Sequence, residues 1–124
     1  MGVFSRLGAR LTETSDDIHA QQTREMCSGV KGVEKISRCK PRTRKKVVGV
    51  VESIKLVPRD FGHSLEVQIY DGTDRIIGEW LGWRTIPGID LGTRMVMEGT
   101  VGTFGDGTLR IINPAYELLP ASTG

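Results

Sequence analysis

Residues 64–72, SLEVQIYDG, alternate apolar and polar side chains without a break and end on Asp-Gly. Leu65, Val67 and Ile69 fall to one side of an extended chain, and Glu66, Gln68 and Tyr70 to the other. A period of two with one apolar face marks a half-buried strand and does not suit an amphipathic helix. Glycine adopts the positive φ that a tight reversal demands, so Asp71-Gly72 predicts a hairpin into residues 75–81, RIIGEWL. If Ile76 points inward in that second strand, so do Gly78 and Trp80, while Ile77, Glu79 and Leu81 point out. Trp80 is then a core residue whose ring fills the space beside Gly78. A lone hairpin is marginal in water, so other parts of the chain must extend the sheet.

The flanking sequence does so. Residues 45–57, KKVVGVVESIKLV, are rich in β-branched side chains and stop at Pro58, which has no N–H for a ladder. Residues 93–104, TRMVMEGTVGTF, put Met95, Met97, Gly99 and Val101 on one face. Asp106-Gly107 predicts another hairpin, and TLRII is a last strand halted by Asn113-Pro114. Between the third and fourth strands lies GWRTIPGIDLG, a connection with room for a single helical turn. Five short strands are better closed than open, because closure removes exposed edges, and Gly49, Gly78 and Gly99 lie mid-strand where tight curvature favours a missing side chain. This order of strands and connections predicts an all-β fold, a five-stranded Greek-key barrel of the oligonucleotide/oligosaccharide-binding (OB) type; the break between strands 3 and 4 distinguishes it from SH3-like barrels.

Outside the barrel the composition shifts. Residues 1–26 are polar with helical periodicity, and Thr14 to Asp17 offer capping residues before IHAQQTREM. Phe4, Leu7 and Leu11 stand at helical spacing with Arg6 and Arg10 between them, which predicts a short helix docking on the domain or a partner rather than on a membrane. Residues 27–46 mix glycine, proline and many cations and read as a linker. The expected organisation is therefore an N-terminal helical segment and basic linker over 1–44, the barrel over 45–120 and a tail over 121–124. A barrel this small buries a limited core, so help from the first segment or a second chain is expected.

Several motifs resemble a known family. YDGTDRIIGEWLG, IPGIDLGTRMVMEGTV and LRIINPAYEL are similar to the OB-fold wedge domain of the RecG branch-migration helicase. The shared features are the turn Asp71-Gly72, an apolar strand ending on an aromatic (Trp80), Gly92 entering and Gly99 inside strand 4, and the closing Asn113-Pro114 with Tyr116-Glu117. IYDGTDRIIGEWLGWRTIPGI, the amphipathic start from Arg6-Leu7 to Thr12, and Arg38-Cys39 ahead of strand 1 also resemble short stand-alone OB-fold proteins of actinobacteria. The resemblance implies nucleic-acid binding without a motor, and no GxxxxGK[ST] phosphate loop occurs in the chain.

An OB barrel binds single strands across strands 2 and 3, flanked by the loops joining strands 1–2 and 4–5. Such binding needs cations for phosphates and flat faces for bases. Candidates are Lys45 and Lys46 in the run KPRTRKK; Lys55, Arg59 and Phe61 around the first loop; Tyr70 and Arg75 around strands 2 and 3; Trp83 and Arg84 in the connection; and Phe104 and Arg110 at the last hairpin. Glu66 and Glu79 on the same face would repel phosphates. The neighbouring Ile77 and Leu81 suit a protein partner or the N-terminal segment equally well. The expected partner is nucleic acid, single-stranded or junction DNA with RNA allowed, bound with little sequence preference; a protein-interaction module is the alternative.

A formal net charge of +2 and 6% aromatic residues argue against a nucleic-acid-coating protein and against a broad aromatic platform. Cys27, Cys39, His19 and His63 lack the paired spacing of metal ligands, so neither metal nor cofactor is expected and both thiols should be reduced. Asp60 with His63 is a surface pair rather than an acid–base dyad, and no nucleophile–base spacing stands out; the chain is not expected to be an enzyme. It has neither the apolar run of a signal peptide nor about 20 apolar residues for a span, so it is expected in the cytoplasm and away from membranes.

Overall fold

The structure, a computed structural model, describes residues 16–120. Its organising element is β1 (Arg44–Arg59), long enough to serve two neighbours. The first half pairs antiparallel with β4 (Arg94–Thr103), from Arg44 opposite Thr100 to Val50 opposite Arg94. The second half pairs with β2 (Gly62–Tyr70), from Val50 opposite Tyr70 to Arg59 opposite Gly62. A register shift between Val51 and Ser53 bends the strand between these partners. Gly49 lies just before the bend, where a Cβ would come within 2.9 Å of the Ile69 side chain and 3.0 Å of the Tyr70 backbone.

From β2 the ring continues to β3 (Arg75–Leu81), then in parallel to β5 (Leu109–Ile112), and antiparallel from β5 to β4. The order β1-β2-β3-β5-β4, closed by β4 on β1, is that of the expected OB barrel. A sixth strand, β6 (Ala115–Leu118), adds to it. It pairs with Met95 to Glu98, so β5 and β6 divide one edge of β4 between them, with Asn113 at φ 49° in the bend.

The core follows the alternation. Leu65, Val67, Ile69, Ile76, Met95, Met97, Val101 and Ile111 are all inside, and burying each such side chain is worth about 1.5–3 kcal/mol. Trp80 is 2% exposed, and its indole N–H donates to the Pro114 carbonyl at 3.1 Å. A Cβ on Gly78 would come within 2.9 Å of that ring and collide with the Met97 sulfur. The parity of β3 therefore places Trp80 as the sequence predicts, as a core residue.

Three features differ from expectation. β1 runs through Pro58, which sits opposite His63 beside the hairpin end, where a missing N–H is tolerated. The connection over 82–93 forms turns with no helical turn, yet it sends Ile86 fully into the core. The third concerns the stretch read as a linker, which is packed on the barrel. A helix, α1, covers residues 16–27; the capping residue Thr14, the stripe of Phe4, Leu7 and Leu11, and the tail 121–124 lie outside the described residues. Arg24 of α1 donates to the Gly72 carbonyl at 3.1 Å, and Gly72, at φ 90°, has no room for a side chain against Ala20 and Arg24. Ile36 is fully buried in the main core with Cys39, and its N–H donates to the Asp71 carboxylate at 2.9 Å. The N–H groups of Glu34 and Arg42 donate to the carbonyls of Lys46 and Val101, each at 2.8 Å. The cations of this stretch lie outward while its apolar residues point in. A second small core follows: Cys27, Val30 and Val33 pack against Val48, Val50 and Val96 on the outside of β1 and β4, with Leu119.

Candidate nucleic-acid interface

With part of β1 and β4 covered, the described residues leave the outer face of β2, β3 and β5 open. Alternation sends Ser64, Glu66 and Gln68 of β2, Ile77, Glu79 and Leu81 of β3, and Arg110 and Ile112 of β5 to this face, and the register sets Lys55 opposite Glu66.

At its centre is an ion network. Arg59 Nη2 lies 2.7 Å from Glu66 Oε2 and 2.9 Å from Glu79 Oε2. Arg110 Nη1 lies 2.8 Å from Glu66 Oε2 and also pairs with Glu79 Oε1. The Ser64 hydroxyl donates to Glu79 at 2.7 Å and accepts from Arg59 Nε at 3.2 Å. Glu79 is 3% exposed. Burial alone would push its carboxyl up, but the hydrogen bonds from Ser64 and Arg110 and the charges of Arg110 and Arg59 outweigh burial and hold it below the ordinary carboxylate range. The two carboxylates thus do not stand as free repelling charges, as the sequence suggested; two arginines meet them. Arg59 precedes the β1–β2 turn and Arg110 follows the β4–β5 turn, so the network joins the two loops that flank an OB ligand face.

Two exposed aromatics belong to the loops that this network joins. Phe61, at the tip of the β1–β2 turn, is 64% exposed. Phe104, in the β4–β5 turn, is 43% exposed, with the Arg110 guanidinium 3.5 Å from its ring centroid. Lys55, Arg59, Phe104 and Arg110 are therefore brought to one face, and Phe61 stands in the turn that follows Arg59. The other candidates lie apart. Tyr70 is buried at the α1 end, with the His19 ring stacked at 5.5 Å and the Arg75 guanidinium 4.1 Å from its centroid. Arg75 is also engaged, with its Nε 2.8 Å from Glu52. Trp83, beside the exposed Arg84, is half exposed and packs 6.2 Å from both Trp80 and Tyr116. Lys45 and Lys46 line a different hollow at the start of β1, with Glu34 and Glu98. Sequence reasoning missed Ser64 and Ile112 on the open face; the parity rule used for β3, applied to LRII, sets Arg110 and Ile112 outward together.

Among the described residues no group of three or more His, Cys, Asp or Glu could hold a metal, and no helix is long and apolar enough to cross a membrane. Cys27 and Cys39 are buried free thiols. Burial pushes Cys27 up to about 11 and raises Cys39 as well.

Solved OB-fold domains are similar in structure. RecG bound to a three-way DNA junction aligns with a TM-score of 0.55 at 17% identity, over 73% of this chain and 13% of the RecG chain. An OBody bound to hen egg-white lysozyme aligns at 0.57 and 18%, over 75% of this chain and 96% of the OBody. The second OB-fold domain of replication protein A from Methanococcus maripaludis aligns at 0.53 and 19%, over 73% of this chain and 98% of that domain. At these identities the likeness establishes the OB fold. No protein-family model and no curated protein matches the chain, so the likeness to stand-alone actinobacterial proteins rests on the motifs quoted above.

Proposed function

We propose that this chain is a non-enzymatic OB-fold module that binds single-stranded or junction DNA, with little sequence preference, across the outer face of β2, β3 and β5. The observation that carries the reading is the placement of two exposed phenylalanines, Phe61 and Phe104, on the two loops either side of the one sheet face that α1 and residues 28–43 leave uncovered. Each base stacked on such a ring contributes about 1–3 kcal/mol regardless of its identity. Lys55, Arg59 and Arg110 stand on the face that these two loops flank. Arg59 is the exchangeable member of the network, because its side chain stays 31% exposed while Arg110 is held at 9%. An incoming phosphate takes the place of a carboxylate on Arg59. The RecG neighbour was solved on a DNA junction, which supports testing branched substrates.

The test is fluorescence anisotropy with labelled single-stranded, duplex, junction and RNA oligonucleotides over a range of salt. The expected result is tightest binding to single strands or junctions, with affinity falling with log salt at a slope of about −0.7 per phosphate neutralised. Failure of every oligonucleotide to bind at low salt overturns the reading. A protein-interaction module is the second reading. It is favoured by the internal neutralisation of the network and by the exposed Leu81 and Ile112 beside it. The OBody neighbour is an OB fold solved on a protein ligand. A self-associated species on sizing, dispersed by charged substitutions at Leu81 and Ile112, would favour it.

A further inference from the structure

The glycines inside the strands divide into two kinds. At Gly49, Gly78 and Gly99 a Cβ would collide with Ile69, Met97 and Ile111 respectively, and Gly62 closes the β1–β2 turn at φ 130°. Gly102 on β4 has neither reason: its φ is ordinary for a strand, and a Cβ there would meet only the Arg110 carbonyl, at 3.8 Å. A glycine weakens a strand and often marks a bulge, a tight bend or a close approach of a ligand or another backbone. Gly102 stays in regular register opposite Arg110, with no bulge.

Gly102 floors a groove of about 350 Å³ between Thr100, Phe104, Arg110 and Ile112. Arg110 is more than nine-tenths buried there, and its Nε has no hydrogen-bond partner. One strand further round, Arg44 stands opposite Thr100 with its side chain 64% exposed. Its only ion pair among the described residues, with Glu98, is a loose 3.9 Å.

We infer that this groove is a second nucleotide subsite, resting on the function proposed above: a base lies over Gly102 between Phe104 and Ile112, and its phosphodiester reaches Arg44. A bound strand then does not stop at β5 but continues around the barrel over β4 to the basic run that begins β1. The cations of that run, remote from the β2–β3 face, thereby acquire a ligand. Glu98, the carboxylate at this end, pairs loosely with Arg44 and stands opposite Lys46 in the register.

The test compares oligothymidines of about 4 and about 12 nucleotides, within the site sizes known for OB folds, on the full chain. Gly102→Val adds a β-branched side chain where the backbone has room, so its melting temperature should match or exceed the parent's. It should weaken binding of the longer oligonucleotide about tenfold, a loss in the range of one stacked base, and leave the shorter one unchanged. Arg44→Ala should lower the salt slope for the longer oligonucleotide alone, by about 0.7. A folded Gly102→Val that binds the longer oligonucleotide as tightly as the parent overturns the groove while leaving the proposed function intact. A parent that binds neither length overturns both. If Gly102→Val fails to fold, Gly102→Ala, whose Cβ meets only the Arg110 carbonyl at 3.8 Å, is the replacement, with the same two outcomes.

Discussion

The barrel's outer wall is apolar and covered around Val48, Val50 and Val96 of β1 and β4, and ionic over β2, β3 and β5. On the first half, Val48 and Val96 point outward and are buried all the same, with Val50 half-buried beside them, because α1 and residues 28–43 lie over them. On the second half, Glu66, Glu79 and Arg110 point outward and are met by one another, Arg59, Ser64 and the Phe104 ring. The alternation of a strand says only which residues leave the core. What the chain then lays over them decides whether the outside becomes a second interior or a surface. Burial of apolar side chains resists exchange, since the alternative is exposure to water. An ion network can change partners, since a phosphate offers an arginine what a carboxylate does. The covered half is therefore built for stability, while the open half holds groups that can exchange partners.

The largest test of this division is Ile36→Ala. Ile36 belongs to the covering segment yet sits fully buried in the barrel core, so truncation should cost about 2–5 kcal/mol in urea unfolding. A loss below about 1 kcal/mol, small for a core truncation, would mean that the cover is optional and the two halves are not so different.

Second is Glu79→Gln, expected to cost about 1–3 kcal/mol because Arg110 loses one of its two carboxylates while staying buried. Its pH dependence separates the halves further. Glu79 has a depressed folded pKa, so its contribution is complete above the unfolded carboxylate value of about 4.3 and disappears as pH falls through the folded value. The gap in melting temperature between wild type and Glu79→Gln should close in acid. The covered half behaves oppositely. Cys27 is raised from 9.0 to about 11, so its contribution is complete below pH 9.0 and is lost as pH climbs toward 11. The wild type should lose melting temperature across that interval more steeply than Cys27→Ala. Parallel curves for either pair would remove the chemical contrast.

Much of the open half was legible beforehand, and little of the covered half was. Period-two patterns placed β2, β3 and β4 and sent Trp80 inward, because a strand with one buried face writes that face into every second residue. The covering stretch carries a signal of another kind. Val30, Val33, Ile36 and Cys39 recur every third residue, but among Lys31, Lys35, Arg38 and Lys40 they look like a linker's scattered apolar residues. Tyr70 has outward parity and is buried only because His19 and Arg75 close over it, a tertiary event that parity does not encode. The ion network depends on β5 lying parallel beside β3, a pairing between segments about thirty residues apart that no local pattern reveals. The result was that Glu66 and Glu79 looked like unopposed charges.

The smallest expected effect on stability is the sharpest on function. Phe61 stands 64% exposed at the tip of a two-residue turn, and Phe61→Ala should leave the unfolding free energy within about 0.5 kcal/mol of the parent. If the open half is the binding half, the same substitution removes a stacking surface worth about 1–3 kcal/mol per base, or roughly five- to a hundredfold in affinity for a single strand. Ile36→Ala should show the reverse: a large loss of stability and, at a temperature where the protein remains folded, unchanged affinity. Should Phe61→Ala prove silent in both assays while charged substitutions at Leu81 and Ile112 disperse a self-associated species, the open half still binds, but its ligand is protein. The chemistry that selects the ligand would then lie in the apolar rim rather than in the arginines, which would remain closed on their own carboxylates.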